Sequence, residues 1–235
     1  MNILITGASR GIGADTLALF RSAGHRVAGH SSKGDGDDLI AGDLFDPAAP
    51  RQIWEAALAR LGGRIDVLVN NAGIFEGVAH DASDEDWHTA WQRTLTVNLQ
   101  ASADFCRLAI NHFQQRGEGG RIVNVASRAA WRGDSPEHWH YAASKGAMIS
   151  MTKTIARAFA AENILIYAVA PGFVRTRMTN EFLQTDAAKP ILADIPLGRV
   201  AEAKEVAETI RWLAIDAPAA ATGTTIDING ASYVR

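Results

Sequence analysis

A chain of 235 residues, 47% hydrophobic and 21% charged, has ordinary globular composition and fits one α/β domain. Its net charge of -3 and the lack of any Lys/Arg run argue against nucleic acid or an anionic membrane surface as partner, and no apolar stretch approaches membrane-spanning length. A single cysteine, Cys106, excludes an internal disulfide.

Residues 2–6 read as a strand that starts directly after Met1, leaving no room for the basic head and cleavage site of a signal peptide. A cytoplasmic protein is expected. Thr6-Gly7-Ala8-Ser9-Arg10-Gly11-Ile12-Gly13 follows, and residues 12–23 carry apolar side chains at helical spacing. A glycine-rich turn between strand and helix suits a pyrophosphate: Gly7 permits the tight turn, Gly11 the approach of phosphate to backbone, and Gly13 close packing of helix on strand. Free N–H groups and the positive dipole end then attract the anion. The spacing G-x-x-x-G-x-G differs from G-x-G-x-x-G, and glycines also punctuate ordinary turns.

The second strand, residues 26–30, runs into Ser31-Ser32-Lys33. An acidic residue at this place would pair with ribose hydroxyls and repel a 2'-phosphate, whereas Ser31, Ser32 and Lys33 with Arg10 nearby suit that phosphate. NADP(H) is therefore expected, with NAD(H) as the alternative, because Asp35, Asp37 and Asp38 follow closely. Only residues 31–42 separate this strand from Asp43, with a third short strand at 39–41, so a crossover helix barely fits and a loop or single turn is expected.

Helical patterns at 50–61, 84–115, 141–161 and 203–215 alternate with strand patterns at 65–70, 121–126, 164–170 and 224–228. Ser83 or Asp84 is a candidate N-cap. Cys106, within the helical pattern, reads as a small core residue rather than a catalytic thiol. The alternation predicts a single-domain α/β fold, a doubly wound, Rossmann-type parallel sheet with helices on both faces.

Tyr141 and Lys145 stand at i and i+4 on one helix face, where an ammonium would favour phenolate and lower a pKa that is ordinarily about 10. Ser127 ends a strand, so its hydroxyl can emerge at the carboxyl edge of the sheet, where ligands bind in such folds. His138 and His140 lack a third ligand at metal spacing, so no metal is expected and packing or substrate contact is their expected role. Met178, Phe182, Leu183 and Ile191 read as an amphipathic flap over the site.

The ordered set T-G-x-x-x-G-I-G at 6–13, Asn70-Asn71-Ala72-Gly73, Asn98 in Val97-Asn98-Leu99, Ser127, Tyr141 with Lys145, and Pro171-Gly172 with Thr176 resembles the short-chain dehydrogenase/reductase family along the whole chain. That resemblance implies that Tyr141 exchanges a proton with the substrate oxygen and Ser127 polarises the carbonyl. Lys145 would tune Tyr141 and hold the nicotinamide ribose, and Asn98 would hold a relay water. It further implies cofactor contacts at Gly7, Ser9, Arg10 and Ile12, at Asp43, at Asn70, Ala72 and Gly73, and at Pro171, Gly172, Val174 and Thr176. A homodimer or homotetramer is implied as well. The expected activity is that of a carbonyl reductase acting on a small-molecule ketone or alcohol. The alternatives are a 3-oxoacyl-acyl-carrier-protein reductase and a non-catalytic nucleotide-binding scaffold or sensor. Arg121 could grip an acidic carrier, but Glu162-Asn163 stands where a second arginine would be expected.

Overall fold

Apolar runs of four to eight residues are buried on both faces only if helices cover both, and the chain alternates accordingly. The computed structural model describes residues 1–34, 38–176, 185 and 188–235. In chain order it has β1 (Asn2–Ile5), α1 (Gly11–Ser22), β2 (Arg26–Ser31), β3 (Leu39–Ala41), α2 (Ala49–Arg60), β4 (Val67–Asn70) and α3 (Asp84–Leu95). A π-helical turn (Thr96–Gln100) leads into α4 (Ala101–Arg116), followed by β5 (Gly120–Val125), α5 (Ala129–Arg132), α6 (Trp139–Phe159), β6 (Ile164–Pro171) and β7 (Val174–Arg175). The chain closes with α7 (Lys189–Ala193), β8 (Ala201–Glu202), α8 (Ala203–Ile215) and β9 (Thr225–Ile228).

Seven strands form one parallel sheet in the order β3-β2-β1-β4-β5-β6-β9, while β7 and β8 pair separately. The winding reverses between β1 and β4, the switch point at which a crevice opens beyond the carboxyl ends of the strands. Side chains alternate across the sheet: Leu4, Leu68, Ile122 and Ile166 pack with Ile53, Trp54, Phe105 and Phe113. On the other face Ile3, Ile5, Val69 and Tyr167 meet Phe20, Val206 and Ile210. The doubly wound sheet expected from the sequence is thus present. No helix among the described residues is long and apolar enough to cross a membrane.

Two elements differ from expectation. The single helix expected over 84–115 is divided by the π-helical turn, where both amide atoms of Asn98 bind the Ile74 backbone: Oδ1 accepts from Ile74 N at 2.8 Å and Nδ2 donates to Ile74 O at 3.0 Å. Anchoring a side chain to a neighbouring loop draws the helix wall outward, and a wider turn accommodates it. Helix α6 begins at Trp139, two residues ahead of Tyr141. Ser83 caps α3, its Oγ accepting from Asp86 N at 3.1 Å. The β2–β3 connection holds no helix among its described residues, and Gly34 turns there with φ +67°. Of the expected flap, Ile191 lies in α7, while Met178, Phe182 and Leu183 fall outside the described residues.

Phe113 sets how closely α4 approaches the sheet: a Cβ on Gly120 would lie 2.5 Å from its ring, and the ring is fully buried. Phe113→Ala is expected to lower stability by about 3–5 kcal/mol. Urea unfolding would show this as a lower midpoint at unchanged slope.

Candidate active site

The turn after β1 is locked to the turn after β4 by Thr6 and Asn71. Thr6 Oγ1 accepts from the backbone N–H of both Asn71 and Ala72 at 3.0 Å, and Asn71 Nδ2 donates to the carbonyls of Thr6 and Gly7 at 3.0 and 2.9 Å. Two glycines make this possible. Gly7 holds φ +66° with room for no Cβ beside Ala72, and a Cβ on Gly13 would meet the Gly7 carbonyl oxygen at 2.1 Å. Gly13 therefore permits close packing against the turn itself rather than against the strand. Gly11, also at positive φ, opens α1, and Ser9 and Arg10 are exposed beside it.

His30 joins this turn to the end of β3. Its Nε2 lies 2.9 Å from the Gly42 carbonyl and its Nδ1 3.3 Å from the Gly7 N–H, so the neutral ring donates at one end and accepts at the other. Burial lowers its pKa, in keeping with that neutral form. Nothing in the sequence points to His30, because a buried histidine in a strand carries no motif. Of the neighbouring residues expected at the adenosine end, Ser31 is buried with Oγ accepting from Gly34 N at 2.9 Å, Ser32 and Lys33 are exposed, and Asp43 Oδ1 accepts from Phe45 N at 3.0 Å.

Asn70 and Asn71, adjacent in sequence, part company. The Asn70 amide turns into the core, donating to Asn124 Oδ1 at 3.0 Å beside Ser102 and Cys106, while Asn71 lines the cleft. Burial pushes the Cys106 thiol up to about 12, which leaves it inert and in the structural role expected of it. Gly73 lies beside two functional groups and adds no side chain between them. A Cβ there would lie 3.3 Å from Asn98 Oδ1 and 3.5 Å from Lys145 Nζ.

Ser127, Tyr141 and Lys145 converge on one cleft of about 300 Å³, together with Ile12, Gly73, Pro171, Gly172, Val174 and Thr176. Lys145 is 4% exposed and donates to the Val125 carbonyl at 2.8 Å. Burial lowers its pKa to about 8. Its ammonium lies 5.8 Å from the Tyr141 ring centroid. The tuning of Tyr141 differs from the expected direction: burial pushes the phenol up to about 12, and the hydrogen bond with Ser127 only partly opposes that. The Lys145 ammonium, turned toward Val125, does not offset this desolvation of the phenolate, and the charge of Asp134 adds to it. Ser127 Oγ also accepts from Ala129 N at 3.1 Å, which fixes its direction.

The remaining cleft wall is aromatic and charged. Phe75 stacks on His138 with ring centroids 3.8 Å apart and meets Tyr141 edge-on at 4.8 Å, while Arg128, Asp134 and Phe173 complete the lining. His138 Nδ1 lies 2.6 Å from Ser135 Oγ, and fully buried His140 packs against Trp91. Phe75 and Arg128 carry no signal in the sequence, since each stands one or two residues past a motif without belonging to it. A hydroxyl, a phenol and an ammonium at the carboxyl edge, next to a glycine turn at a helix start, can bind a dinucleotide, polarise a carbonyl and move a proton. The glycine cradle at 7 and 13, which admits no side chain, with Gly73 beside Asn98 and Lys145, fits close backbone approach by such a cofactor.

Residues 7–231 match the family model described as enoyl-(acyl carrier protein) reductase. Among curated proteins, the chain is 38% identical over 242 residues to the 3-oxoacyl-acyl-carrier-protein reductase FabG of Thermotoga maritima, covering 97% of this chain and 95% of that one. It is 32% identical to the FabG of Escherichia coli, with 98% and 96% covered. A 3-ketoacyl-acyl-carrier-protein reductase of Brucella melitensis, solved in complex with NADH, superimposes with TM-score 0.85 at 28% identity over 99% of this chain and 98% of that one. A short-chain dehydrogenase/reductase of the same organism gives 0.87 at 31%, with 99% and 96% covered.

The Thr6 lock predicts a specific defect. Thr6→Val keeps the shape but strands two backbone N–H groups, costing about 1–3 kcal/mol for each. Both a lower melting temperature and weaker NADPH binding by fluorescence titration are expected; unchanged affinity would show that the lock does not shape the cofactor turn.

Proposed function

Because the chain belongs to the short-chain dehydrogenase/reductase family, we propose that it interconverts a ketone and a secondary alcohol with NADP(H), using Tyr141 as general acid and base. The single observation that carries this reading is the convergence of Ser127, Tyr141 and buried Lys145 on one cleft at the carboxyl edge of the sheet. Bound NADP(H) supplies or accepts the hydride; the chain supplies orientation and a proton path.

In the reductive direction Ser127 Oγ and the Tyr141 hydroxyl hold the substrate oxygen, and the phenol gives up its proton as negative charge develops there. A phenol raised to about 12 by burial is fully protonated at neutral pH and ready to donate. Lys145 steadies the phenolate that forms and holds the nicotinamide ribose. Asn98, fixed by its two bonds to Ile74, keeps a water in the relay to Lys145. Gly7, Ser9, Arg10 and Ile12 receive the pyrophosphate, with Asp43 at the adenine. Gly73 and the backbones of Asn70 and Ala72 border the ribose. Pro171, Gly172, Val174 and Thr176 border the carboxamide and phosphates.

The preference for NADP(H) over NAD(H) draws support from Asp38. It lies just before β3, at the amino-terminal edge, ion-paired with Arg21 at 3.3 Å, and so is remote from the carboxyl end of β2. Ser31, Ser32, Lys33 and Arg10 then face the 2'-phosphate; Asp35 and Asp37 fall outside the described residues. The similar Brucella melitensis reductase solved with NADH keeps NAD(H) as the alternative.

A carrier-linked 3-oxoacyl substrate is the second reading, favoured by the names of the relatives. Against it, the Arg121 guanidinium donates to the Leu213 carbonyl at 3.0 Å, and Glu162 binds Gln114 where a second basic group would be needed. A scaffold without chemistry would have no use for Tyr141 and Lys145 together. We further propose that the protein is cytoplasmic and forms a homodimer or homotetramer.

A ketone panel with NADPH and NADH followed in parallel, including one carrier-linked 3-oxoacyl substrate, tests the reading. NADPH-dependent reduction of free ketones is expected, and a requirement for the carrier or for NADH would overturn it. Since Lys145 titrates near 8, reductive kcat/KM should be flat below neutrality and fall as pH rises through about 8. Alcohol oxidation, which needs the phenolate, should gain toward alkaline pH.

A further inference from the structure

Arg128 follows Ser127 directly and lines the same cleft. Its side chain is only 12% exposed, yet its guanidinium makes no hydrogen bond to any described residue, and buried Nη1 has no more than a 3.6 Å ion-pair contact with Asp194. A buried N–H donor left without a hydrogen bond is costly. The surroundings hold it in place without satisfying it. The Phe173 ring lies 5.0 Å from its central carbon, and Asp194 Oδ2 stands 3.6 Å from Nη1. That carboxylate is already hydrogen-bonded by Arg132 Nη1, so one anion serves two cations. Asp134, also on the cleft wall, has Oδ1 engaged by the Ser135 N–H. Burial, then the charge of Arg132, disfavour the Arg128 cation, while Asp194 and Asp134 favour it.

We propose that Arg128 anchors a carboxylate on the substrate, so that the ketone reduced is an oxo acid and the product a hydroxy acid. The inference rests on the ketone reading above. A planar guanidinium offers two parallel N–H groups that match the two oxygens of a carboxylate. The backbone puts this fork one residue from the hydroxyl that would hold the carbonyl. Asp134 and Asp194 nearby favour a single negative charge over a phosphate dianion.

The test compares kcat/KM for 4-oxopentanoate and 5-oxohexanoate with that for their methyl esters, in the wild type, Arg128→Lys and Arg128→Met. The acid-to-ester ratio is insensitive to a general loss of active enzyme. The wild type is expected to prefer the acid by about tenfold or more, as one or two charge-assisted hydrogen bonds would give. In Arg128→Met the ratio falls to near one, through KM for the acid, and Arg128→Lys retains part of the preference and serves alone should the Met variant not fold. Equal use of acid and ester by the wild type, a preference that survives in both variants, or stronger use of a phosphorylated ketone overturns the assignment. A wild type that reduces no ketone, charged or neutral, sinks the ketone reading itself.

Discussion

One buried ammonium organises the carboxyl edge of this fold. Lys145 is 4% exposed, no described carboxylate pairs with it, and a single backbone carbonyl accepts from it. Such a group is expensive to bury, and its lowered pKa reports that expense. The neighbouring structure makes room for it. Gly73 contributes no side chain to the space between Lys145 and Asn98, and Asn98 is held where it is by a widened turn in an otherwise regular helix. Tyr141, one helical turn before Lys145, is crowded enough to remain a phenol. Loss of hydration, rather than the attraction of phenolate to ammonium, governs the protonation of both groups, which suits a proton donor better than a resting base.

The second constraint is the switch point of the sheet. Because β1 and β4 diverge in their connections, the turns that follow them are neighbours, and Thr6 and Asn71 bind them into one unit with His30 tying in the end of β3. Where the described residues between β2 and β3 hold no helix, a buried neutral imidazole bridges Gly7 and Gly42 across the end of the sheet.

Much of this was legible in the sequence. Period-two and period-3.6 patterns located the seven strands of the sheet and the long helices, and the ordered motifs located Ser127, Tyr141 and Lys145 on one edge. What escaped was set by contacts between distant segments. The π-helical turn depends on Asn98 meeting Ile74, the inward turn of Asn70 on Asn124 and Ser102, and the raised phenol on how many groups surround it. Spacing placed Lys145 beside Tyr141 but not where its N–H groups point, and the paired strands β7 and β8, two residues each, are too short for any periodicity to show.

Tyr141 as the proton donor is the central claim, and the most direct measurement is single-turnover reduction of a ketone by the NADPH-loaded Tyr141→Phe variant. Loss of about a hundredfold or more in the rate is expected, with NADPH affinity and melting temperature close to those of the wild type. A variant that binds NADPH, remains folded and reduces the ketone at the wild-type rate would contradict it.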